Sequence, residues 1–156
     1  MKFEFSAGGV VFKKVEDKIF ILVAQHSQHH GWVFPKGIIG GHPSTSSGQA
    51  KETKEEAALR EVEEETGVIG KILEPLQPVT YWYNLEGDPS AGSGQEKIKK
   101  TVYYFLMEFV SGDTRNHDWE MENVEWIGEE EVLERLTYKS DKDVWVQAAV
   151  IINEIY

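Results

Sequence analysis

Seven glutamates fall between residues 52 and 65: Glu52, Glu55, Glu56, Glu61, Glu63, Glu64 and Glu65, with Lys54 and Arg60 as the cations among them. The stretch ETKEEAALREVEEET over 52–66 predicts a helix that Gly67 ends. Residues three and four apart are neighbours on a helix, so Glu61, Glu64 and Glu65 share a face. Like charges at that spacing cost a few tenths of a kcal/mol per pair. A helix that carries this cost either lies fully in water or holds cations. Charge alone reads most simply as a solvated face. Converging hard oxygen ligands, however, suit Mg2+ or Mn2+. Arg60 can pair with Glu56 or Glu64 and fix the carboxylate rotamers. Ala57, Ala58, Leu59 and Val62 give the helix an apolar side to lay on a sheet.

Composition bounds what such a helix can serve. The 156 residues suit one domain spanning 1–156, and 40% apolar residues suffice for a core. Lys and Arg number 16 against 27 Asp and Glu, a net charge of -11. A phosphate-backbone surface needs clustered cations, so no nucleic-acid partner is expected. An acidic protein that handles phosphates needs a bridging cation. There is no Cys, hence no disulfide and no thiolate metal site. The start MKFEFSAGGVVFKK has no apolar stretch of signal-peptide type, and no run reaches membrane-span length. The expected setting is cytoplasmic, without membrane association, as a monomer or homodimer.

The elements that must position the helix follow from periodicity. Residues 9–12 and 19–23 read as strands joined through the charged stretch Lys13 to Lys18, and 32–34 as a third, closed by Pro35 and Gly37. Further strands are predicted at 77–84, 101–110 and 123–127, and helices near 129–136 and 141–154. Without strict βα alternation, this argues for an α+β protein with helices packed on a mixed sheet. Residues 43–51 and 89–97 resemble each other at six of nine positions, and read as insertions in surface loops near 40–51 and 88–97.

The order of residues in the helix decides between solvated face and cation site. Arg60-Glu61-Val62-Glu63-Glu64-Glu65-Thr66-Gly67-Val68 is similar to the Nudix signature R-E-U-x-E-E-x-G-U, where U is bulky and apolar, and Glu52 holds its place eight positions before Arg60. The signature's first glycine position is Ser46 here. Gly37 is the better counterpart, with nine extra residues in between. Trp32-Val33-Phe34-Pro35-Lys36-Gly37 resembles the same family's W-x-F-P-K-G turn.

The resemblance implies an α/β/α sandwich, a mixed sheet between helices, and metal-dependent hydrolysis of a nucleoside diphosphate linked to another group. Mg2+ or Mn2+ would be held by Glu61, Glu64, Glu65 and Glu120, with the main-chain carbonyl of Lys36. Arg60, Glu61, Glu64 and Glu120 form the catalytic set, with Glu122 as second choice to Glu120 for taking the proton from water. Residues 5–12, the turn, Tyr81-Trp82-Tyr83 and residues 100–106 look most like the diadenosine tetraphosphate hydrolases of that family, which release ATP and AMP. Lys36, Tyr83, Lys100, Tyr104 and Tyr138 then become the substrate contacts, with a small nucleotide as partner. Tyr81 and Tyr83 alternate and so project from one face of a strand. His29 and His30 read as loop histidines. The same signature also fits ADP-ribose, nucleoside triphosphates or diphosphoinositol phosphates, or an inactive nucleotide-binding module. On this reading, Glu64→Gln keeps the fold, seen as an unchanged circular dichroism spectrum, and lowers turnover by orders of magnitude. Near-normal turnover would refute a metal role for Glu64.

Overall fold

The computed structural model describes residues 2–40, 52–85 and 96–156. The two segments expected to be loop insertions lie mostly outside them. Strand β1 (Lys2–Val15) turns back into β2 (Lys18–His26). Two short strands follow, β3 (Trp32–Val33) and β4 (Lys36–Ile38), then helix α1 (Lys54–Thr66). Strands β5 (Val68–Pro75), β6 (Val79–Leu85) and β7 (Glu96–Gly112) come next, then β8 (Met121–Gly128) and helices α2 (Val132–Arg135) and α3 (Lys139–Ile155).

The strands form one mixed sheet with the path β3-β2-β1-β7-β5, to which β4 adds on β1, β6 on β7 and β8 on β2. Among the described residues only the long β1–β7 pairing is parallel, from Lys2↔Ile98 to Phe12↔Glu108. Both faces are covered, so the central strands are apolar on both sides rather than alternating with polar residues. Val10 and Phe12 of β1, Ile21 and Val23 of β2, and Tyr104 and Leu106 of β7 meet Val144, Trp145, Ala148 and Ile152 of α3. Ala7, Val11, Leu22, Phe105 and Met107 meet Ala57, Ala58 and Val62 of α1 on the other face. This is the expected sandwich.

Several expectations change. β1 and β2 run further than residues 9–12 and 19–23. Lys13 and Lys14 pair with Phe20 and Ile19, leaving a tight turn at Glu16-Asp17 with Glu16 at φ 58°. β5 was not foreseen: a glycine, a lysine and a glutamate interrupt its apolar residues, and pairing with β7 supplies what propensity does not. The helix near 129–136 is a 3-10 turn over Glu129–Glu131 followed by the single turn α2. Finally, α1 starts at Lys54 rather than Glu52. Thr53 caps it, with the Glu56 amide donating to Thr53 Oγ1 and the Thr53 amide to Glu56 Oε1, both at 3.1 Å.

Gly67 ends α1 in the left-handed region at φ 77°, and a Cβ there would collide with the Asp113 carbonyl. Gly67→Ala should therefore cost at least about 1–2 kcal/mol, read as a lower urea midpoint at unchanged m-value. An unaltered midpoint would show that the cap relaxes without strain.

Candidate active site

Arg60 organises the carboxylates. Its Nε and Nη2 donate to the two oxygens of Glu52 at 2.6 and 2.9 Å, a forked pair. Nη1 donates to Glu61 at 2.7 Å and to Glu64 at 3.2 Å, and Nη2 also reaches the Ile38 carbonyl at 3.2 Å. Of the two expected partners, Glu64 pairs with Arg60, while Glu56 serves the capping box instead. Glu52 also accepts from the Gly40 amide at 2.8 Å, which ties the chain on either side of residues 41–51.

Two further segments dock on the C-terminal end of α1. The Lys36 amide donates to Glu65 Oε2 at 2.8 Å, which fixes the turn between β3 and β4 against the helix. The Asp118 amide donates to the Glu64 carbonyl at 3.0 Å. Glu120 follows, held by its amide on Asp118 Oδ1 at 3.0 Å and by its carbonyl, which accepts from the Ser27 amide at 2.9 Å. Gly37 lies so close to α1 that a Cβ would strike the Glu61 carboxylate.

These contacts converge on adjoining cavities. One, of about 300 Å3, is lined by Gly37, Ile38, Glu61 and Glu120. A second, of about 270 Å3, has Glu65, Glu120, Lys36 and Lys100 in its wall. Glu120 is common to both. A third, of about 340 Å3, is mainly apolar and aromatic, with Val79, Tyr81, Val102, Tyr104 and Tyr138 around it. Lys36 and Tyr81 belong to the second and third alike.

Burial pushes the Glu61 carboxyl above its ordinary pKa, and Arg60 pulls it partly back. Glu65, 3% exposed, is pushed well up, first by burial and then by Glu61, with only the Lys36 amide as its recorded hydrogen-bond donor among the described residues. Glu120 is raised by burial and by Asp118. Burial also lowers Lys100. The donors are all oxygens, and the buried carboxylates are under-compensated, so the residues fit a hard divalent cation. Among the described residues no three acidic or histidine side chains already form a complete cation cage. Water and substrate phosphates usually complete Mg2+ sites of this kind.

The sequence candidates separate. Glu61, Glu65, Glu120, Lys36 and Lys100 are brought together. Glu64 sits beside them on Arg60 but is more exposed, and lines none of the three cavities. Glu122 is instead bonded to His30. Tyr81, rather than Tyr83, faces the cavities, and the Tyr83 hydroxyl donates to Glu4 at 2.5 Å. Tyr104 is almost wholly buried, with its hydroxyl 3.3 Å from Asp141. Tyr138 meets His29 Nδ1 at 3.0 Å. His26 and His29, stacked at 4.2 Å, line the second cavity. His26 Nδ1 accepts from the Gln28 amide at 3.1 Å and His29 Nδ1 from the Gly31 amide at 3.0 Å. Neither His26 nor Asp141 carries a local sequence signal. Both matter only because the fold delivers them to the cavity walls.

A group whose folded pKa is raised favours the fold below its unfolded pKa and loses that contribution as pH rises through the folded value. Metal-free protein should therefore be penalised by Glu65 at pH 8. Glu65→Gln keeps an acceptor for the Lys36 amide without the charge. It should melt higher than the parent at pH 8 in chelator, and the two should converge near about pH 4. Equal melting temperatures at pH 8 would contradict the burial argument.

Comparison with known proteins fits this geometry. The family profile described as NUDIX domain matches residues 2–149. A Mycobacterium tuberculosis (strain CDC 1551 / Oshkosh) protein named "Putative mutator protein MutT4" is 29% identical over 158 aligned positions, covering 97% of this chain. The chain spans 57% of that relative's length. The fold is similar to that of a C. elegans Ap4A hydrolase in a binary complex, with TM-score 0.66, 23% identity, and 97% and 98% of the two chains covered. It is equally similar to the NUDIX domain of Shewanella oneidensis NrtR complexed with ADP ribose, with TM-score 0.67, 20% identity, and 97% and 90% covered. The family match runs through the carboxylate helix, the turn docked on it and the strands between them, and the chain belongs to the NUDIX domain family.

Proposed function

We propose that the protein hydrolyses a dinucleoside polyphosphate of the diadenosine tetraphosphate type, asymmetrically, to ATP and AMP. The observation that carries this reading is the shared wall between the aromatic cavity and the carboxylate–lysine cavity, formed by His29, Val33, Lys36 and Tyr81. A base in the first places its phosphate chain over the second. Tyr81, Tyr104 and Tyr138 supply ring surface for the base, and stacking on aromatic side chains is worth about 1–3 kcal/mol per base in single-strand binders.

Glu61, Glu65 and Glu120, with Glu64 alongside and the Lys36 carbonyl, would hold Mg2+ or Mn2+. Such a cation supplies neutralisation of phosphate oxygens and makes water acidic enough to attack near neutral pH. Lys36 and Lys100 take up further phosphate charge, which a chain of net charge -11 must otherwise repel. Glu120 faces both acidic cavities, and its raised pKa suits it to accept the proton of the attacking water. Arg60 does not touch substrate on this reading; it holds Glu61 and Glu64 in place. Attack of water on phosphorus breaks one P–O bond of the polyphosphate, and the leaving phosphate departs with that bond's electron pair. The C. elegans Ap4A hydrolase shares the fold over nearly the whole chain. The NrtR domain complexed with ADP ribose makes ADP-ribose the second substrate to try.

Incubation of the purified protein with diadenosine tetraphosphate and Mg2+ should release ATP and AMP in equal amounts by ion-exchange chromatography, and chelator should abolish the release. ADP-ribose turnover exceeding this by orders of magnitude would overturn the substrate assignment and leave the reaction class standing.

A further inference from the structure

The aromatic cavity contains one acidic side chain. Asp141, in the first turn of α3, is 3% exposed and lines the cavity beside Val79, Tyr81, Val102, Tyr104 and Tyr138. Its volume, about 340 Å3, lies within the range of small-ligand sites, about 300–1,000 Å3. A carboxylate at a helix start needs no ligand to explain it, since the helix dipole favours one there. Burial is different. A buried acceptor must be satisfied or it costs stability.

Among the described residues, the Tyr104 hydroxyl lies 3.3 Å from Asp141 Oδ1 as a hydrogen-bond donor, and the Phe34 backbone N–H and Lys36 favour the charged carboxylate. These are donors, so the protein uses the carboxylate only as an acceptor. An ionised carboxylate offers about four acceptor positions, and the Tyr104 bond leaves some open towards the cavity. Burial raises the Asp141 pKa, opposed by Lys36, the Phe34 amide and Tyr104. A further donor supplied by a ligand would add to that opposition.

We propose that Asp141 determines base specificity: its carboxylate accepts a hydrogen bond from the exocyclic amino group of the base seated among Tyr81, Tyr104 and Tyr138. The ligand class is an aminopurine nucleotide. The assignment rests on the nucleotide-pyrophosphatase reading above, and adds to it a residue that reads the base edge rather than its face. Stacking alone tolerates any base, because every base has a π-face. A buried acceptor that stays unpaired rejects a base without the amino group.

The test is a binding measurement, independent of turnover. Non-hydrolysable α,β-methylene triphosphates of adenosine and of purine riboside, which carries hydrogen in place of the amino group, are titrated calorimetrically with Mg2+ present. The parent protein should bind the adenosine compound at least about tenfold tighter. Asp141→Ala removes the acceptor and should bring the ratio to near one. Asp141→Asn keeps the shape. With its amide oxygen held by the Tyr104 hydroxyl, its NH2 faces the ligand amino group, and the ratio should fall to one or below. A parent that binds both compounds equally would leave nucleotide recognition standing and remove this role from Asp141. Variants that weaken both ligands alike, at an unchanged ratio, would reduce Asp141 to a structural residue. A parent that binds neither would overturn the nucleotide reading together with the assignment.

Discussion

The guanidinium of Arg60 lies 2.6 to 3.2 Å from Glu52, Glu61, Glu64 and the Ile38 carbonyl, and the acidic site is built outward from it. Seven glutamates in fourteen positions repel one another, and without a fixed cation their rotamers would spread into solvent. A planar fork with five donors can hold three carboxylates and a carbonyl at once, which a lysine ammonium cannot. The forked bond to Glu52 also fixes the start of the helix segment against Gly40. Whatever length separates Gly40 from Glu52, the two ends are pinned, and added loop length then costs little.

The opposite end of α1 is arranged by a different force. The last carbonyls of a helix lack partners within it. Here the Glu64 carbonyl takes the Asp118 amide and the Gly67 carbonyl takes the Asp113 amide, so the loop that carries Glu120 satisfies the helix end as it docks. No basic residue occupies the last turn of α1. The negative end of the helix dipole therefore adds to Glu61, Glu64 and Glu65 instead of being offset. The same packing that builds the site also concentrates negative charge there, and burial of Glu65 raises the cost further. A divalent cation held there would relieve all of these at once.

The sheet explains why an acidic cavity and an aromatic one share a wall. Lys100, Val102 and Tyr104 alternate along β7 and point to the α3 side, and antiparallel β6 sets Tyr81 opposite Lys100 and Val79 opposite Val102. One strand pair thus delivers a lysine to the acidic cavity and tyrosines to the aromatic one. The turn holding Lys36 lies between them, pinned to α1 through Glu65 and to β1 through the Gly9 amide on the Pro35 carbonyl.

The sequence by itself determined the helix, its apolar face, its glycine stop and the carboxylate order, because these rest on local spacing and on a motif contiguous along the chain. It also determined the sandwich class and the apolar centres of β1, β2 and β7, whose patterns are strong, while pairing between the strands set their full length. The tertiary structure alone decided the rest. β5 has a broken apolar pattern and exists through pairing with β7. Glu56 and Glu64 are equally spaced from Arg60, but the capping box takes Glu56. Tyr81 and Tyr83 share a strand face, yet Glu4, arriving on β1, draws the Tyr83 hydroxyl aside. His26 and Asp141 lie far from the motif in the chain, and reach the cavity walls only through the β2–β8 pairing and the packing of α3. Such placement depends on contacts between residues distant in sequence, and no local pattern encodes them.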